Sequence, residues 1–257
     1  MERLFVNPKY ARTFTVEGSQ SFAGIVAHFL PGEKSRPNVT VQRVTVPAEA
    51  GAVDAFFKLY DHAKAPWRFW LRASKARREF VNYGTFAELA VPAAEAIACG
   101  EERDALGRLQ RAFILTHAVP GASTLLEFFA TGPTRNERAA ILSELAGLAR
   151  RMHAANFFYY DLVWRNILVS REDGRSPRLF FIDCPRGSYA RFGRTRRRLR
   201  DLASLDKSAS QFCSRAERLR FLQAYLGEQE LNEEVRSLAR ACLEYRRKRW
   251  PEDWRGE

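Results

Sequence analysis

Period-two alternation of apolar and polar residues marks the first part of the chain, and spacing of three to four marks the second. Gly24–Leu30 (GIVAHFL) is a short apolar run that reads as a strand. Val39–Val46 (VTVQRVTV) alternates with β-branched residues, the pattern of a half-buried strand. After a turn at Pro47–Val53, Ala55–Tyr60 (AFFKLY) reads as the next. Phe80, Tyr83, Phe86 and Leu89 recur every three residues within Ser74–Leu89, which predicts a helix stopped by Pro92. Ala94–Cys99 and Gln110–Thr116 add two strands, and the region reads as an antiparallel meander. Beyond the turn-rich Val119–Ala122, Ser123–Thr131 and Asn136–Ala154 carry helical spacing. Ile141, Leu142, Leu145, Leu148 and Met152 make one core-facing stripe. Asn166–Ser170 and Leu179–Ile182 are short strands flanking the polar turn REDGRSP, and Arg197–Trp250 is mostly amphipathic helix. Strands first and helices later predict an α+β class with two lobes: a small antiparallel-sheet lobe over 1–119 and a mainly helical lobe over 120–257.

Composition narrows the setting. The chain has 257 residues, 46% of them hydrophobic, enough for one large core or two small lobes. Its apolar runs are too short to span a bilayer, and MERLFVNPKYARTF lacks the apolar segment of a secretory signal, so the expected location is the cytoplasm. Cys99, Cys184, Cys213 and Cys242 are widely spaced without a CxxC pair, which argues against a disulfide framework or a zinc site. Cys184 reads as a small apolar filler. The net charge is +12, with basic clusters at Arg194–Arg200 and Arg246–Arg249. Such charge attracts nucleic acid, nucleotide phosphates or an anionic membrane, or is simply a solvated face; alone it does not choose.

The chemistry concentrates in Tyr159–Leu168 (YYDLVWRNIL) and in FFIDCP around Asp183. Asp161 precedes Asn166 by five residues, Asn166 opens one short strand, and Asp183 follows the second. A hairpin between the strands would bring the three side chains to one open edge. Mg²⁺ favours hard oxygen ligands and keeps positions for phosphates and water, so Asn166 and Asp183 suit a metal carrying nucleotide phosphates. Asp161 could align an acceptor hydroxyl and take its proton, in a reaction that depends mostly on positioning and charge neutralisation. Each element alone also fits a turn former; the conjunction is what points to phosphoryl transfer. Lys58 lies inside an apolar strand. It either faces solvent or binds phosphates while paired with a helix glutamate, Glu79 being the first candidate and Glu88 the second.

Taken together, this order of residues resembles the protein-kinase superfamily signature set. In detail it is similar to the bacterial lipopolysaccharide core kinase family, which phosphorylates Kdo or heptose. Three stretches carry the resemblance: REFVNYGTFAELAVPAAEAIACGEER, FFYYDLVWRNILV and RLRDLASLDKSA. The likeness extends over roughly Val53–Leu226. It implies ATP and Mg²⁺ as cofactors, with Lys58 on the phosphates and paired with Glu79. It also implies Thr116 behind the adenine pocket, the backbone of His117 and Val119 at the adenine edge, Asp161 as catalytic base and Asn166 and Asp183 on the metal. Asp201 looks like the buried helix aspartate that braces the catalytic loop. Tyr159–Tyr160 stands where protein kinases carry His-Arg, and Cys184–Pro185 where they carry Phe-Gly. The multi-glycine loop is reduced to PGEKSR, with one glycine, where Lys34 or Ser35 is expected to help hold phosphates.

The expected activity is therefore ATP-dependent phosphorylation of a sugar hydroxyl in the lipopolysaccharide inner core. An anionic glycolipid or sugar is the expected acceptor, peripheral contact with the anionic inner membrane is expected, and nucleic acid is not an expected partner. Alternatives are a small-molecule or protein kinase of the same fold, or a nucleotide-binding pseudokinase.

Overall fold

The computed structural model describes residues 1–15, 21–30, 39–48, 51–64, 69–70, 72–171 and 177–253. The loop with Lys34 and Ser35, and most of the REDGRSP turn, lie outside them. The chain divides into two compact units, Met1–Thr85 with Ala94–Ala118 and Phe86–Ala93 with Val119–Glu257. The class is α+β, with an antiparallel sheet in the first unit and mostly helix in the second.

In the first unit come β1 (Glu2–Val6), α1 (Phe22–Phe29), β2 (Val39–Ala48), β3 (Gly51–Asp61), α2 (Lys75–Glu88), β4 (Ala96–Arg103) and β5 (Leu109–His117). The sheet order is β1-β4-β5-β3-β2, with every neighbouring pair antiparallel. The β2–β3 and β4–β5 hairpins join through β3 and β5, so the sheet is not a simple meander. The added edge strand β1 carried no alternation strong enough to predict it.

The run Gly24–Leu30, expected as a strand, is helical. Ser21 caps α1 by accepting from the Gly24 N–H at 3.0 Å, and Phe22, Ile25 and Phe29 form one buried face. Ile25 and Val26 favour strand locally, but burial of an aromatic stripe overrides that weak preference. Phe22 meets Phe113, and Phe29 meets Phe57, each at 5.3 Å between ring centres. Gly100 lies beneath Phe113 on β4, where a Cβ would stand 2.4 Å from the ring and 2.9 Å from Leu4.

A buried cluster fixes the start of α2. Ser74 donates its N–H to Glu101 at 2.7 Å and accepts from the Arg77 N–H at 3.0 Å. Arg103 donates to Glu101 at 2.9 Å and to the Arg72 carbonyl at 2.7 Å. Burial opposes ionisation of Glu101, but the hydrogen bonds from Ser74 and Arg103 outweigh it and hold the carboxyl below its usual range.

The second unit contains β6 (Ala122–Thr124), α3 (Leu125–Ala130), α4 (Arg135–Ala154), β7 (Phe157–Phe158), β8 (Ile167–Ser170), β9 (Arg178–Phe181), β10 (Ser188–Tyr189), α5 (Arg194–Ala209), α6 (Arg215–Leu226) and α7 (Glu233–Arg249). Strands β6-β8-β9 form one small sheet, and β7 pairs β10. Thr124, Thr134 and Ser214 begin α3, α4 and α6 with capping boxes to Glu127, Glu137 and Glu217. The predicted stripe on α4 is buried, and Ala146, Ala149, Leu202, Leu222, Val235 and Leu238 pack as one core of α4 to α7. Arg138 grips Glu217 with two bonds of 2.7 and 3.0 Å, joining α4 to α6. Among the described residues, no helix is long and apolar enough to cross a membrane.

Two expectations follow for stability. Gly100→Ala forces a methyl against Phe113 and should lower unfolding stability by about 1–3 kcal/mol in chemical denaturation. Glu217 is held down to about 2, chiefly by the Arg138 hydrogen bonds and also by Ser214. Its depressed folded value means that its stabilising contribution is complete above the ordinary value of 4.5 and disappears as pH falls through about 2. The stability gap between wild type and Glu217→Gln should therefore close over that window; a gap constant with pH would contradict the ion pair's role.

Candidate active site

The first unit presents a lysine–glutamate pair. In β3, Phe57 points into the aromatic core, so the next residue, Lys58, points to the other face of the sheet. Lys58 sits opposite Ile114 of β5 and Val41 of β2. Its Nζ is 3.7 Å from Oε2 of Glu79 on α2, with side-chain exposures of 19% and 3%. Glu79 also accepts from the hydroxyls of Tyr60 and Tyr83, at 3.2 Å each. The tyrosines satisfy a buried carboxylate that the lysine reaches only at the outer limit of an ion pair, so Glu79 is fixed whether or not Lys58 is engaged elsewhere. The Lys58 ammonium lies 5.2 Å from the centre of the Tyr60 ring. Glu88, the second candidate partner, is exposed at the end of α2.

Thr116 and His117 end β5, paired with Phe56 and Ala55 of β3, and both are half-buried. The His117 N–H donates to the Glu95 carbonyl at 2.8 Å. Val119 is half-buried and begins the second unit's main segment.

In the second unit, the loop Tyr159–Asn166 and the hairpin β8–β9 hold the three oxygen-bearing side chains. Asp201, on α5 and fully buried, accepts from the Tyr159 N–H at 2.7 Å and the Tyr160 N–H at 2.8 Å, with His153 Nε2 at 3.4 Å. The next residue is Asp161. Its carbonyl accepts from the side-chain amide of Asn166 at 3.0 Å and from the Val163 N–H at 2.9 Å. The Asn166 carbonyl in turn accepts from the Ile182 N–H at 3.0 Å, one residue before Asp183. The Tyr159 hydroxyl donates to the Ile182 carbonyl. Bonds to backbone carbonyls thus tie Asp161 to Asn166 and Asn166 to the residue beside Asp183, so the hairpin brings the three residues to one end.

Tyr160 and Asp183 both have positive φ, +69° and +61°. Aspartate tolerates this region better than most side chains, whereas a tyrosine there is strained by about 1–3 kcal/mol and persists only where its surroundings over-determine it. The paired N–H bonds to Asp201 do so. They turn the backbone between Tyr160 and Asp161, and that turn aims Asp161.

Asn166 fits a metal role by the chemistry of its donors. Its amide nitrogen is committed to the Asp161 carbonyl, which leaves Oδ1 as the oxygen able to act as a ligand. With the Asp183 carboxylate, that makes the sparse oxygen set Mg²⁺ accepts when phosphates complete its shell.

Several parts of this site were not read from the sequence. Tyr159 is fully buried, stacks 5.8 Å from Phe86 and ties the loop to the hairpin; a tyrosine in the run FFYY needs a hydroxyl partner, which was the available clue. The Tyr60 and Tyr83 bonds to Glu79, and an arginine on Asp161, left no mark in spacing. Cys184 is buried, as its filler reading requires.

Asp201→Asn tests the brace. Only one oxygen remains to serve two buried N–H groups, so the variant should lose about 1–3 kcal/mol of stability by denaturant titration, with transfer activity falling as the loop loosens. An unchanged midpoint would remove Asp201 from this role.

Comparison with known proteins yields three findings. A family model described as "Lipopolysaccharide kinase (Kdo/WaaP) family" matches residues 59–225, a stretch that contains Glu79, Asp161, Asn166, Asp183 and Asp201 and begins one residue after Lys58. A solved structure described as "WaaP in complex with acyl carrier protein" is similar in fold, with a TM-score of 0.66 and 22% identity, over 98% of this chain and 99% of that one. No curated protein sequence matches.

Proposed function

From the premise that the chain belongs to the lipopolysaccharide kinase (Kdo/WaaP) family, and is therefore a kinase that uses ATP, we propose that it phosphorylates a Kdo or heptose hydroxyl of the inner core. The observation that carries this reading is the intact set Asp161, Asn166 and Asp183, tied together by bonds to backbone carbonyls and braced by buried Asp201. A chain kept only for nucleotide binding has no need of an aspartate so directed.

Each residue has a stated task in this reading. Lys58 donates to the nucleotide phosphates, and Glu79 orients its ammonium. Thr116 lines the adenine site, with the His117 carbonyl and the Val119 N–H at its edge. Asp161 accepts a hydrogen bond from the acceptor hydroxyl, whose oxygen attacks the terminal phosphorus as the bond to the ADP oxygen breaks; the released proton goes to Asp161. Asn166 and Asp183 would hold Mg²⁺, which supplies charge neutralisation on the phosphates when bound. Pro185 and the left-handed Asp183 restrict the backbone where protein kinases keep a glycine, so the metal aspartate is set rather than switched.

The test is transfer from Mg-ATP to a Kdo-bearing core glycolipid. Asp161→Asn should lower kcat by roughly 10²–10⁴-fold, the span of general-base contributions, with little change in KM for ATP. EDTA should abolish transfer and added Mg²⁺ restore it. Nucleotide binding without transfer to any acceptor would instead establish a pseudokinase.

A further inference from the structure

Asp161 has company on its acceptor side. Its Oδ1 accepts from Nη1 of Arg186 at 3.2 Å, while Oδ2 has no hydrogen-bond partner among the described residues. Arg186 is 58% exposed, and its remaining N–H groups are unengaged among the described residues. On the preceding residue, the Tyr160 ring carries two more guanidiniums: Arg197 lies 5.2 Å and Arg200 5.3 Å from its centre. Neither forms an ion pair among the described residues; Arg197 makes one long bond, 3.4 Å, to the Phe192 carbonyl. Of the other acids here, Asp183 belongs to the metal set, and Asp201 is fully buried with both oxygens occupied by backbone N–H groups.

This accumulation is unfavourable to the fold by itself. The start of α5 carries Arg194, Arg196, Arg197 and Arg198 with no acid in its first turn and no side-chain cap at Gly193. A helix N-terminus is the positive end of its dipole, so cations there destabilise, and an anion would offset both. Stacking on Tyr160 holds two of the arginines in place, which reduces the rotamer entropy lost when they bind.

We propose that Arg186, Arg197 and Arg200 form a subsite for an oxyanion, a carboxylate or a phosphate ester, carried by the acceptor sugar. The inference rests on the assignment of Asp161 as the base. One N–H of Arg186 keeps the Asp161 carboxylate oriented with Oδ2 open, and its other N–H groups are placed for a planar anion. An acceptor held by that anion presents a neighbouring hydroxyl to Oδ2. A neutral sugar leaves the guanidiniums unpaired, and a cationic amino sugar is repelled.

The experiment compares Kdo with its methyl ester, and heptose with and without a phosphate, as acceptors for wild type, Arg186→Ala, Arg197→Ala, Arg200→Ala and Arg200→Lys. Wild type should prefer the anionic member of a pair. Each alanine variant should shrink that preference roughly 10–100-fold in kcat/KM, the size of one or two charge-assisted hydrogen bonds, mainly through the acceptor KM. Arg200→Lys should recover part of it. Preference for Kdo over its ester identifies a carboxylate, and preference for the phosphorylated heptose a phosphate. Equal use of charged and neutral acceptors by an active wild type overturns the subsite and leaves the kinase reading standing. So does a matching rise in KM for ATP in the variants, which would give the arginines to the nucleotide. Equilibrium dialysis of labelled Kdo separates the remaining cases. Binding that the arginine variants lose, without transfer to any sugar, keeps the subsite and overturns the proposed reaction; neither binding nor transfer overturns both.

Discussion

Burying a carboxyl group completely is costly unless its lone pairs are answered, and Asp201 meets that condition with the N–H groups of two consecutive residues. Those two residues cannot then rotate independently. Tyr160 is held with left-handed backbone, Asp161 is turned to a fixed direction, and the Asp161 carbonyl is placed where Asn166 and Val163 can donate to it. The chain of dependence continues through the Asn166 carbonyl to Ile182 and so to Asp183. One buried carboxyl group on α5 thus organises a loop some forty residues earlier in sequence. Its partners are backbone groups, which tolerate side-chain change at positions 159 and 160, and the pair of tyrosines found there is compatible with it.

The lysine–glutamate pair in the first unit has the same character. A glutamate held by two tyrosine hydroxyls does not depend on the lysine for its position. In a switchable kinase the pair forms and breaks as the helix moves; here the helix start is also locked by the buried Ser74–Glu101–Arg103 cluster. Both groups of candidate residues are therefore preorganised by contacts that exist without ligand. That suits a reaction in which positioning and electrostatics do most of the catalysis.

How much of this the sequence disclosed depends on the range of the interaction involved. β3 and β5, α2, α4 and the β8–β9 hairpin follow from local periodicity, and Asp161, Asn166 and Asp183 were legible because their spacing along those elements is itself the pattern. Glu79 was legible because it lies in the helix that follows the Lys58 strand. By contrast, α1 was misread because a seven-residue apolar run has no length to separate helix from strand, and its aromatic stripe became decisive only against Phe57 and Phe113. Tyr60, Tyr83, Tyr159 and Arg186 act through contacts to residues 4 to 25 positions away, each a single pair with no repeat to reveal it. Buried tyrosines that must satisfy a hydroxyl are the one physical clue the sequence offers to such contacts.

The substitution at Tyr160 links these strands of reasoning. In the protein-kinase triplet an arginine directly precedes the catalytic aspartate, and here that position is aromatic. Positive charge beside Asp161 is nevertheless retained. It arrives from α5, with Arg197 and Arg200 on the face of the Tyr160 ring, and from Arg186, shortly after Asp183. A charge supplied from the chain just before the aspartate can report on a segment that docks there. A charge supplied through an aromatic face and a post-metal arginine is directed outward, toward whatever approaches the open oxygen of Asp161. The aromatic residue at 160 thus replaces a charge on the loop itself by charges held against the loop from α5 and from Arg186.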